Sequence, residues 1–204
     1  VRGGLVLANL GDKGALHYKR SRTPSLSDAA AENALKHCGE RHELVDFIPW
    51  GYDERQFCSP GFDLPMGRLT RSPEGGYPQY HTSADNLDLI DPESLERSLV
   101  VTLRILETIE RDRRLVGTAQ RGEPQLGKRG LYRGGPRAGQ IADSHLAILW
   151  VLNQSDGEHS LLDIARRAQM PFDSVFRAAE ALEAAGLVRP SPVDHTPAFR
   201  RPMR

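Results

Sequence analysis

The chain has 204 residues, which is enough for one medium-sized domain and one small domain. Its 27 basic and 27 acidic side chains cancel, so it lacks the electrostatic footprint of a general nucleic-acid or polyanion binder. No apolar run approaches the length of a membrane helix, and the N-terminus lacks a charged-then-apolar signal region. These features predict a soluble, cytoplasmic protein with no membrane partner.

A strand-like run at Leu5–Leu10 begins almost at the first residue, and its apolar character is typical of a strand covered on both faces. Val1 stands where an initiator methionine would be expected, and the elements that would cover this strand are not evident nearby. We therefore expect the chain to be the C-terminal part of a longer protein.

The following segments alternate between helix and strand patterns. In chain order, the sequence predicts a helix at Ser27–Cys38, a strand at His42–Trp50, an extended segment at Leu64–Leu69 and a helix at Pro92–Arg113. This order is typical of an α/β layer structure, in which ligand chemistry collects beyond the carboxyl ends of the strands. Four side chains follow strand-like segments and are expected to share one cleft: Asp12, Asp53, Glu54 and His81.

The cysteines, Cys38 and Cys58, are too few for a disulfide framework. Free thiols in a reducing compartment are the favoured interpretation, and a single bridge between them is the alternative.

An Arg- and Gly-rich stretch at Glu110–Gly139 has little apolar periodicity. We interpret its central part, residues 116–140, as a connector between a first domain at 1–115 and a second at 141–204. A basic contact for an anionic sugar or another subunit is the alternative.

Three short helices are predicted in the last part, followed by Gly186 and an apolar pair. They lie at Ala142–Asn153, Ser160–Gln169 and Pro171–Ala185. The pattern resembles a winged helix-turn-helix, with Ser160 and Asp163 placed to cap the second helix.

The third of these helices is poorly suited to DNA. It carries Asp173, Glu180 and Glu183 against a single Arg177, and acidic side chains are repelled by phosphates. Packing or homo-oligomerisation through this domain is therefore favoured over nucleic-acid binding.

The most informative segment extends from Trp50 to Asp85 and reads WGYDERQF, then GFDLPMGRLTR, then YPQYHTSAD. This order of motifs resembles the zinc aminopeptidases of the M28 type. It resembles more closely the bacterial proteins of the DUF4910 type, which carry an aminopeptidase-like domain and a C-terminal winged helix. The resemblance covers nearly the whole chain and implies part of a three-layer aminopeptidase-like sandwich.

The resemblance also implies a chemistry, namely hydrolysis of a peptide or amide bond by water bound to one or two zinc ions. In that family the Tyr-His-Thr motif supplies the terminal histidine ligand, here His81. The family's Ser-Asp-His motif corresponds to Tyr52, Asp53 and Glu54, which makes Asp53 and Glu54 the candidate catalytic residues. The alternative is a solvated loop in which Glu54 pairs with Arg55. The implied substrate is a small peptide or an aminoacyl or acylamino group, and the implied context is polysaccharide building.

One expected metal ligand departs from the family pattern. The usual carboxylate ligand at the end of the first strand is replaced by Ala8, and the nearest substitute is Asp12. Asp12 is a candidate metal ligand or, equally, the cap of a turn.

Basic and aromatic side chains supply the candidate substrate contacts, since arginine can clamp a carboxylate or phosphate. The alternative for the HYKRSR group among them is a solvated loop. The candidates are Tyr18, Lys19, Arg20, Arg22, Arg55 and Tyr80.

Two functions remain open. The remaining ligands and the general base of a zinc aminopeptidase are expected upstream of Val1, so this chain alone should be inactive. The alternative is a non-catalytic scaffold or regulatory protein derived from a peptidase, with its winged helix used for assembly or nucleic-acid binding.

Overall fold

The computed structural model describes residues 3–119, 121–131 and 142–192, which divide into two compact units. The first unit extends to Arg111 and the second begins at Asp112. Across the described ranges, no helix combines the length and apolar character needed to cross a membrane. The predicted connector at 116–140 lies partly outside the described residues, as do residues 193–204 of the predicted second domain.

The first unit is a mixed α/β structure, as the sequence predicts. Its strands lie in the order β1-β4-β2-β3, with β1 parallel to β4, β2 antiparallel to β4, and β3 parallel to β2. Its elements are β1 (Gly4–Leu7), β2 (Leu16–Lys19), α1 (Leu26–Lys36), β3 (His42–Val45), α2 (Glu54–Phe57), β4 (Met66–Thr70), a 3₁₀ turn (Leu87–Leu89) and α3 (Pro92–Arg111).

Strand β2 was not predicted from the sequence, because its polar residues are typical of a solvated loop. It lies inside the sheet, between β3 and β4, and buries Leu16, Tyr18 and Lys19 almost completely. The Tyr18 hydroxyl donates to Asp28 of α1 at 3.0 Å, and burial together with Asp28 raises the pKa of this phenol. Polar side chains can therefore occupy an interior strand when each finds a partner there.

Strand β3 is shorter than the predicted strand at His42–Trp50. It pairs only with β2, and the chain leaves the sheet after Val45. The next residues form an exposed loop at 46–53, in which Ile48 and Trp50 are more than half exposed.

Helix α3 begins and ends close to its predicted limits, but its orientation differs from the usual amphipathic pattern. Small polar residues such as Ser94, Ser98 and Thr102 are buried. The predicted apolar stripe is about half exposed in this chain: Leu95, Leu99, Leu103 and Leu106.

Buried Arg71, directly after β4, explains why the inner face of α3 is polar. Its guanidinium donates to the Ser98 hydroxyl at 2.8 Å, to the Ser94 carbonyl at 3.1 Å, to the Gly14 carbonyl at 2.8 Å and to the Glu40 carboxylate at 2.9 Å. One side chain thus joins α3 to the turn before β2 and to the turn after α1.

The second unit contains the three predicted helices. Its elements are β5 (Arg114–Gly117), a 3₁₀ turn (Gly127–Arg129), α4 (Asp143–Gln154), β6 (Asp156–Ser160), α5 (Leu161–Ala168), α6 (Phe172–Ala184) and β7 (Val188–Pro190). The predicted cap is confirmed, because Ser160 and Asp163 form a reciprocal capping box at the start of α5.

The sheet of the second unit has the order β6-β5-β7, with β5 antiparallel to both neighbours. Its central strand therefore comes from Arg114–Gly117, which precedes the helices and overlaps the predicted connector. Leu115 of β5 is 1% exposed and belongs to the core of this unit.

Replacing Arg71 with Met should destabilise the first unit by about 3–5 kcal/mol, because Glu40 would keep a charge without its buried partner. Urea denaturation would measure the change, and hydrogen exchange by mass spectrometry would assign the transition to residues 3–111. The exposed Arg97→Gln variant is the control and should change stability by no more than about 0.5 kcal/mol. Equal losses in both variants would contradict the role assigned to Arg71.

Replacing Leu115 with Ala should destabilise the second unit by about 2–5 kcal/mol, since it leaves a cavity in the core. Trp150 of α4 reports this transition by fluorescence once Trp50 is replaced by Phe. The exposed Arg177→Ala variant of α6 serves as the control. A Leu115→Ala protein that unfolds like the control would show that β5 is not part of this core.

Candidate functional site

Four charged side chains form an ion cluster beneath the loop at 46–53. Lys19 Nζ lies 2.5 Å from Glu54 Oε1, and Arg68 Nη1 lies 3.5 Å from the same oxygen. Arg68 Nη1 also donates to Glu74 Oε2 at 2.7 Å. Lys19, Glu54 and Arg68 are at most 4% exposed, so the ion cluster, defined as these three residues and Glu74, is almost entirely buried.

The charges of the ion cluster balance, with two cations and two carboxylates. Both oxygens of Glu54 are buried without a well-aligned hydrogen bond, so attraction to Lys19 and Arg68 is what compensates for its burial. Burial opposes ionisation of Glu74, but the hydrogen bond from Arg68, a backbone hydrogen bond and the charges of Arg68 and Lys19 together outweigh it, so the pKa of Glu74 falls below its usual value. The cluster is therefore an internal structural feature in which each carboxylate has a cation beside it.

The ion cluster also holds the loop at 46–53. Lys19 Nζ donates to the carbonyl of Ile48 at 3.2 Å and to that of Trp50. Gly51 follows with φ at +132°, and a Cβ atom there would lie 2.3 Å from Glu54 Oε1. Only glycine allows the backbone to come so close, which fixes the direction in which Tyr52 leaves the loop.

Tyr52 connects the ion cluster to the Tyr-His-Thr motif. Its ring lies over the Arg68 guanidinium at 5.1 Å, and its hydroxyl oxygen accepts from Asn9 Nδ2 at 2.8 Å. Burial, followed by the influence of the neighbouring Tyr80 hydroxyl, raises the pKa of Tyr52. Tyr52 is therefore a protonated phenol at physiological pH.

Aromatic rings continue from Tyr80 toward the surface. The His81 ring stacks on Tyr80 with centroids 4.0 Å apart, and Tyr77 meets Tyr80 edge-on at 5.6 Å. The Tyr77 hydroxyl donates to Asp85, and burial together with Asp85 raises the pKa of Tyr77 to about 12. His81 itself is exposed.

Two residues flanking the tyrosine pair have left-handed backbone conformations. Asn9 has φ at 46° and His81 has φ at 60°, a region that non-glycine residues seldom adopt. Such conformations cost free energy and cluster at functional sites. The two hydroxyls of Tyr52 and Tyr80, with Asn9 and His81 beside them, are therefore the candidate functional site.

Asp12 lies in a turn and caps it. Its Oδ1 accepts from the Gly14 amide at 2.6 Å and from the Ser72 hydroxyl at 2.8 Å, while Oδ2 accepts from the Ser72 amide at 3.2 Å. These contacts are those of a residue that caps a turn. The role of Asp12 as a metal ligand stays a prediction.

Zinc is implied by the resemblance, and the described residues alone do not fit a site for it. Among residues 3–119, 121–131 and 142–192, no three His, Cys, Asp or Glu side chains come close enough together to hold a metal ion. His81 is exposed and Asp12 is engaged with Ser72.

The other predicted site residues lie in different surroundings. Asp53 precedes α2 and is exposed without a side-chain cap bond, and Arg55 on α2 is also exposed. Arg20 pairs with Asp46 at 2.8 Å.

Arg22 pairs with Asp63 at 3.3 Å, and both side chains are partly exposed. Tyr18 and Lys19 point into the protein, where their polar atoms are engaged. The structure thus joins Lys19 and Glu54 to Tyr80 and His81 through Tyr52, and it leaves Tyr18, Arg20 and Arg22 outside this chain of contacts.

Sequence reasoning missed Asn9, Arg68 and Glu74 as parts of the site. A signal existed for Arg68, because a charged residue within the strand MGRLT requires a buried partner. Nothing comparable marked Asn9, whose role depends on a tyrosine 43 positions away in the chain.

Replacing Lys19 with Met, or Glu54 with Gln, should each cost about 3–5 kcal/mol, because either change leaves a buried charge without its partner. The double variant should lose about 1–3 kcal/mol less than the sum of the two, since the partners couple. Urea denaturation of all three variants measures this coupling. The exposed Arg20→Gln variant is the control and should cost at most about 1 kcal/mol; strictly additive losses for Lys19 and Glu54 would rule out the coupling.

Comparisons with known proteins agree with the division into two units. Residues 1–112 match the model of a family described as a domain of unknown function, DUF4910, and residues 113–190 match a winged helix-turn-helix model. A Clostridium acetobutylicum protein named "putative polysaccharide biosynthesis protein with aminopeptidase-like domain" is 43% identical over 190 residues. That alignment covers 93% of this chain and 44% of the relative.

A crystal structure of a "putative peptidase" from the same organism has a TM-score of 0.84 and 41% identity, covering 93% of this chain and 42% of that one. The chain thus spans less than half the length of the relatives it matches. On the family match, the sequence identity and the shared fold, the chain belongs to the DUF4910 family and carries a C-terminal winged helix-turn-helix domain.

Proposed function

We propose that the first unit forms part of an aminopeptidase-like hydrolase site that cleaves amide bonds in small peptides or in aminoacyl or acylamino groups. The observation that carries this proposal is the array of Tyr52, Tyr80 and His81, built on strained backbone and connected to a buried ion cluster. The names of the two Clostridium acetobutylicum relatives support the same reaction class.

In this proposal Tyr80 and His81 meet the reacting amide. The Tyr80 hydroxyl donates a hydrogen bond to the amide oxygen, where negative charge develops during hydrolysis. The exposed His81 imidazole takes part in proton transfer or in binding the hydrolytic metal. Glu54 is buried against Lys19 and acts by holding the loop rather than by reaching the substrate.

Two exposed charges that follow Tyr52 in the chain would bind the ends of the substrate. Asp53 carries a carboxylate without a cap bond and suits the ammonium group of a substrate. Arg55, two residues later on α2, suits a carboxylate. The printed name of the curated relative favours a substrate from polysaccharide building, such as an acylamino group on a sugar.

No step of the proposed reaction depends on zinc, and zinc content is left to measurement. The part of the chain that the structure describes offers no cluster of three metal-binding side chains. The proposed chemistry uses Tyr80, His81, Asp53 and Arg55.

A non-catalytic scaffold is the second candidate, and the second unit favours it. On α6, Asp173 and Glu180 are exposed, and Arg177 is held by Asp173 at 2.9 Å. This acidic face is unfavourable for DNA phosphates and suits packing or self-association.

The deciding experiment uses the complete gene product and a panel of aminoacyl-4-nitroanilides, with zinc content measured by elemental analysis after gel filtration. We expect amide hydrolysis that falls at least about 100-fold in His81→Ala, since positioned proton transfer or metal binding is lost. Near-stoichiometric zinc that is lost in the same variant would extend the proposal to zinc hydrolysis.

The matched control is His42→Gln, which alters an exposed histidine of the edge strand β3. It should leave hydrolysis and metal content unchanged. A folded, metal-free protein with no hydrolysis of any substrate in the panel would favour the scaffold.

A further inference from the structure

We propose that the apolar face of α3 is the surface on which the remainder of the complete gene product, meaning the part outside residues 1–204, packs against this chain. The apolar face is defined by four leucines of the helix: Leu95, Leu99, Leu103 and Leu106. The inference goes beyond the proposed function and does not depend on it, because it concerns packing and not a reaction.

Three different stripes run along α3. At about 100° per residue, the four leucines fall within an arc of about 80°. The residues that the first unit buries lie on a second arc, which includes Ser98 and Ile105, and Arg97, Arg104 and Arg111 lie on a third. A surface helix typically has one apolar stripe toward its core and polar residues elsewhere. The second apolar stripe of α3 therefore indicates a second packing partner.

The exposed leucines form a contiguous patch. They are 48–56% exposed, and successive ones are three or four positions apart, so their side chains are neighbours along the helix. Single exposed leucines are common on protein surfaces, whereas contiguous apolar patches mark interaction sites. Two further exposed apolar side chains, Leu87 and Ile90, lie in the segment that leads into α3.

An open strand edge adjoins this helix. Among the described residues, β1 pairs with β4 alone, so its other edge has no partner strand. Helix α3 is tied to the chain that follows β1, because the Ser98 hydroxyl donates to the Leu10 carbonyl at 2.8 Å and the Asp91 amide donates to the Gly11 carbonyl at 2.7 Å. Parallel strands ordinarily lie in sheets that are covered on both faces. One further α/β segment could pair with β1 and cover the apolar face.

The lengths of the relatives identify the occupant. This chain covers 44% of the curated Clostridium acetobutylicum relative and 42% of the chain in the crystal structure, so more than half of each has no counterpart here. The shared part keeps the same fold within that longer crystallised chain, with a TM-score of 0.84. A segment of that size is large enough to supply both a strand and an apolar layer.

Packing on this surface would bring the remainder of the protein close to the candidate functional site. The Tyr77 hydroxyl donates to Asp85 at 2.9 Å, and the Tyr77 ring meets Tyr80 edge-on. The segment that continues through Leu87 to α3 thus begins beside the aromatic rings. The docked part could therefore add side chains to that site.

Thiol labelling tests the proposal with a matched pair of variants. Leu99→Cys places a thiol on the apolar face, and Arg104→Cys places one on the charged side of the same helix; both positions are exposed in this chain. Each variant is made in this chain and in the complete gene product. Both are labelled with a maleimide under native conditions, and peptide mass spectrometry gives the rate at each position.

In this chain we expect the two thiols to react at rates within about threefold of each other, since both are accessible. In the complete gene product, the thiol at position 99 should react at least about tenfold more slowly, while the thiol at position 104 changes by less than about threefold. Equal rates at the two positions in the complete gene product would overturn the proposal. Slow labelling at position 99 already in this chain would also overturn it.

Dilution distinguishes the remainder of the polypeptide from a second copy of the protein. Protection within one polypeptide does not depend on concentration, whereas protection by another copy is lost when the complex dissociates. We expect the slow rate at position 99 to persist on about 100-fold dilution of the complete gene product. Protection that disappears on dilution would overturn the proposal in favour of contact between copies.

Charge on the apolar face provides a second readout. The double variant Leu99→Lys with Leu103→Lys keeps good helix formers, so it should change the melting temperature of this chain by less than about 2 °C. In the complete gene product it should lower the melting temperature by at least about 5 °C, because two ammonium groups would be buried. Arg104→Gln is the control and should have little effect in either protein. An unchanged melting temperature of the doubly substituted complete gene product would contradict the proposal.

Discussion

Burying the ammonium group of Lys19 is costly unless an opposite charge lies beside it, and this constraint organises the first unit. The charge of Glu54 meets that need, but only when α2 stands at the end of the loop at 46–53. The same carboxylate attracts Arg68 of β4, and Arg68 in turn binds Glu74. One electrostatic requirement therefore fixes two strands, one short helix and one loop relative to each other.

The tyrosine pair depends on that arrangement. Gly51 passes directly over the ion cluster, so the position of Tyr52 follows from the charges below it. The Tyr52 hydroxyl lies next to that of Tyr80. It also accepts a hydrogen bond from Asn9, which follows the end of β1. The hydroxyls of Tyr52 and Tyr80 thus lie above the buried ion cluster. The charged groups maintain the structure, and the hydroxyls are the groups that can meet a ligand.

Much of the architecture could be predicted from the sequence, because helices carry their signals locally. The limits of α3 and the capping box of α5 follow from proline, serine and apolar spacing. Strand β2 could not be predicted in this way, because Lys19 is compatible with the interior only through Glu54, 35 positions later. The Tyr80-His81 pair was recognisable as a motif, whereas the part played by Asn9 arises from a contact that no local pattern encodes.

The central position of β5 in the second unit has a consequence for dissecting the protein. A strand held on both edges, by β6 and by β7, behaves as an inserted strand that completes another fragment's sheet. A single proteolytic cut within residues 121–131 would therefore separate the chain covalently without releasing the helices. The N-terminal fragment would keep the helices bound through its β5 strand, by strand complementation. The two fragments would then stay together after limited proteolysis, although the chain between them is cut.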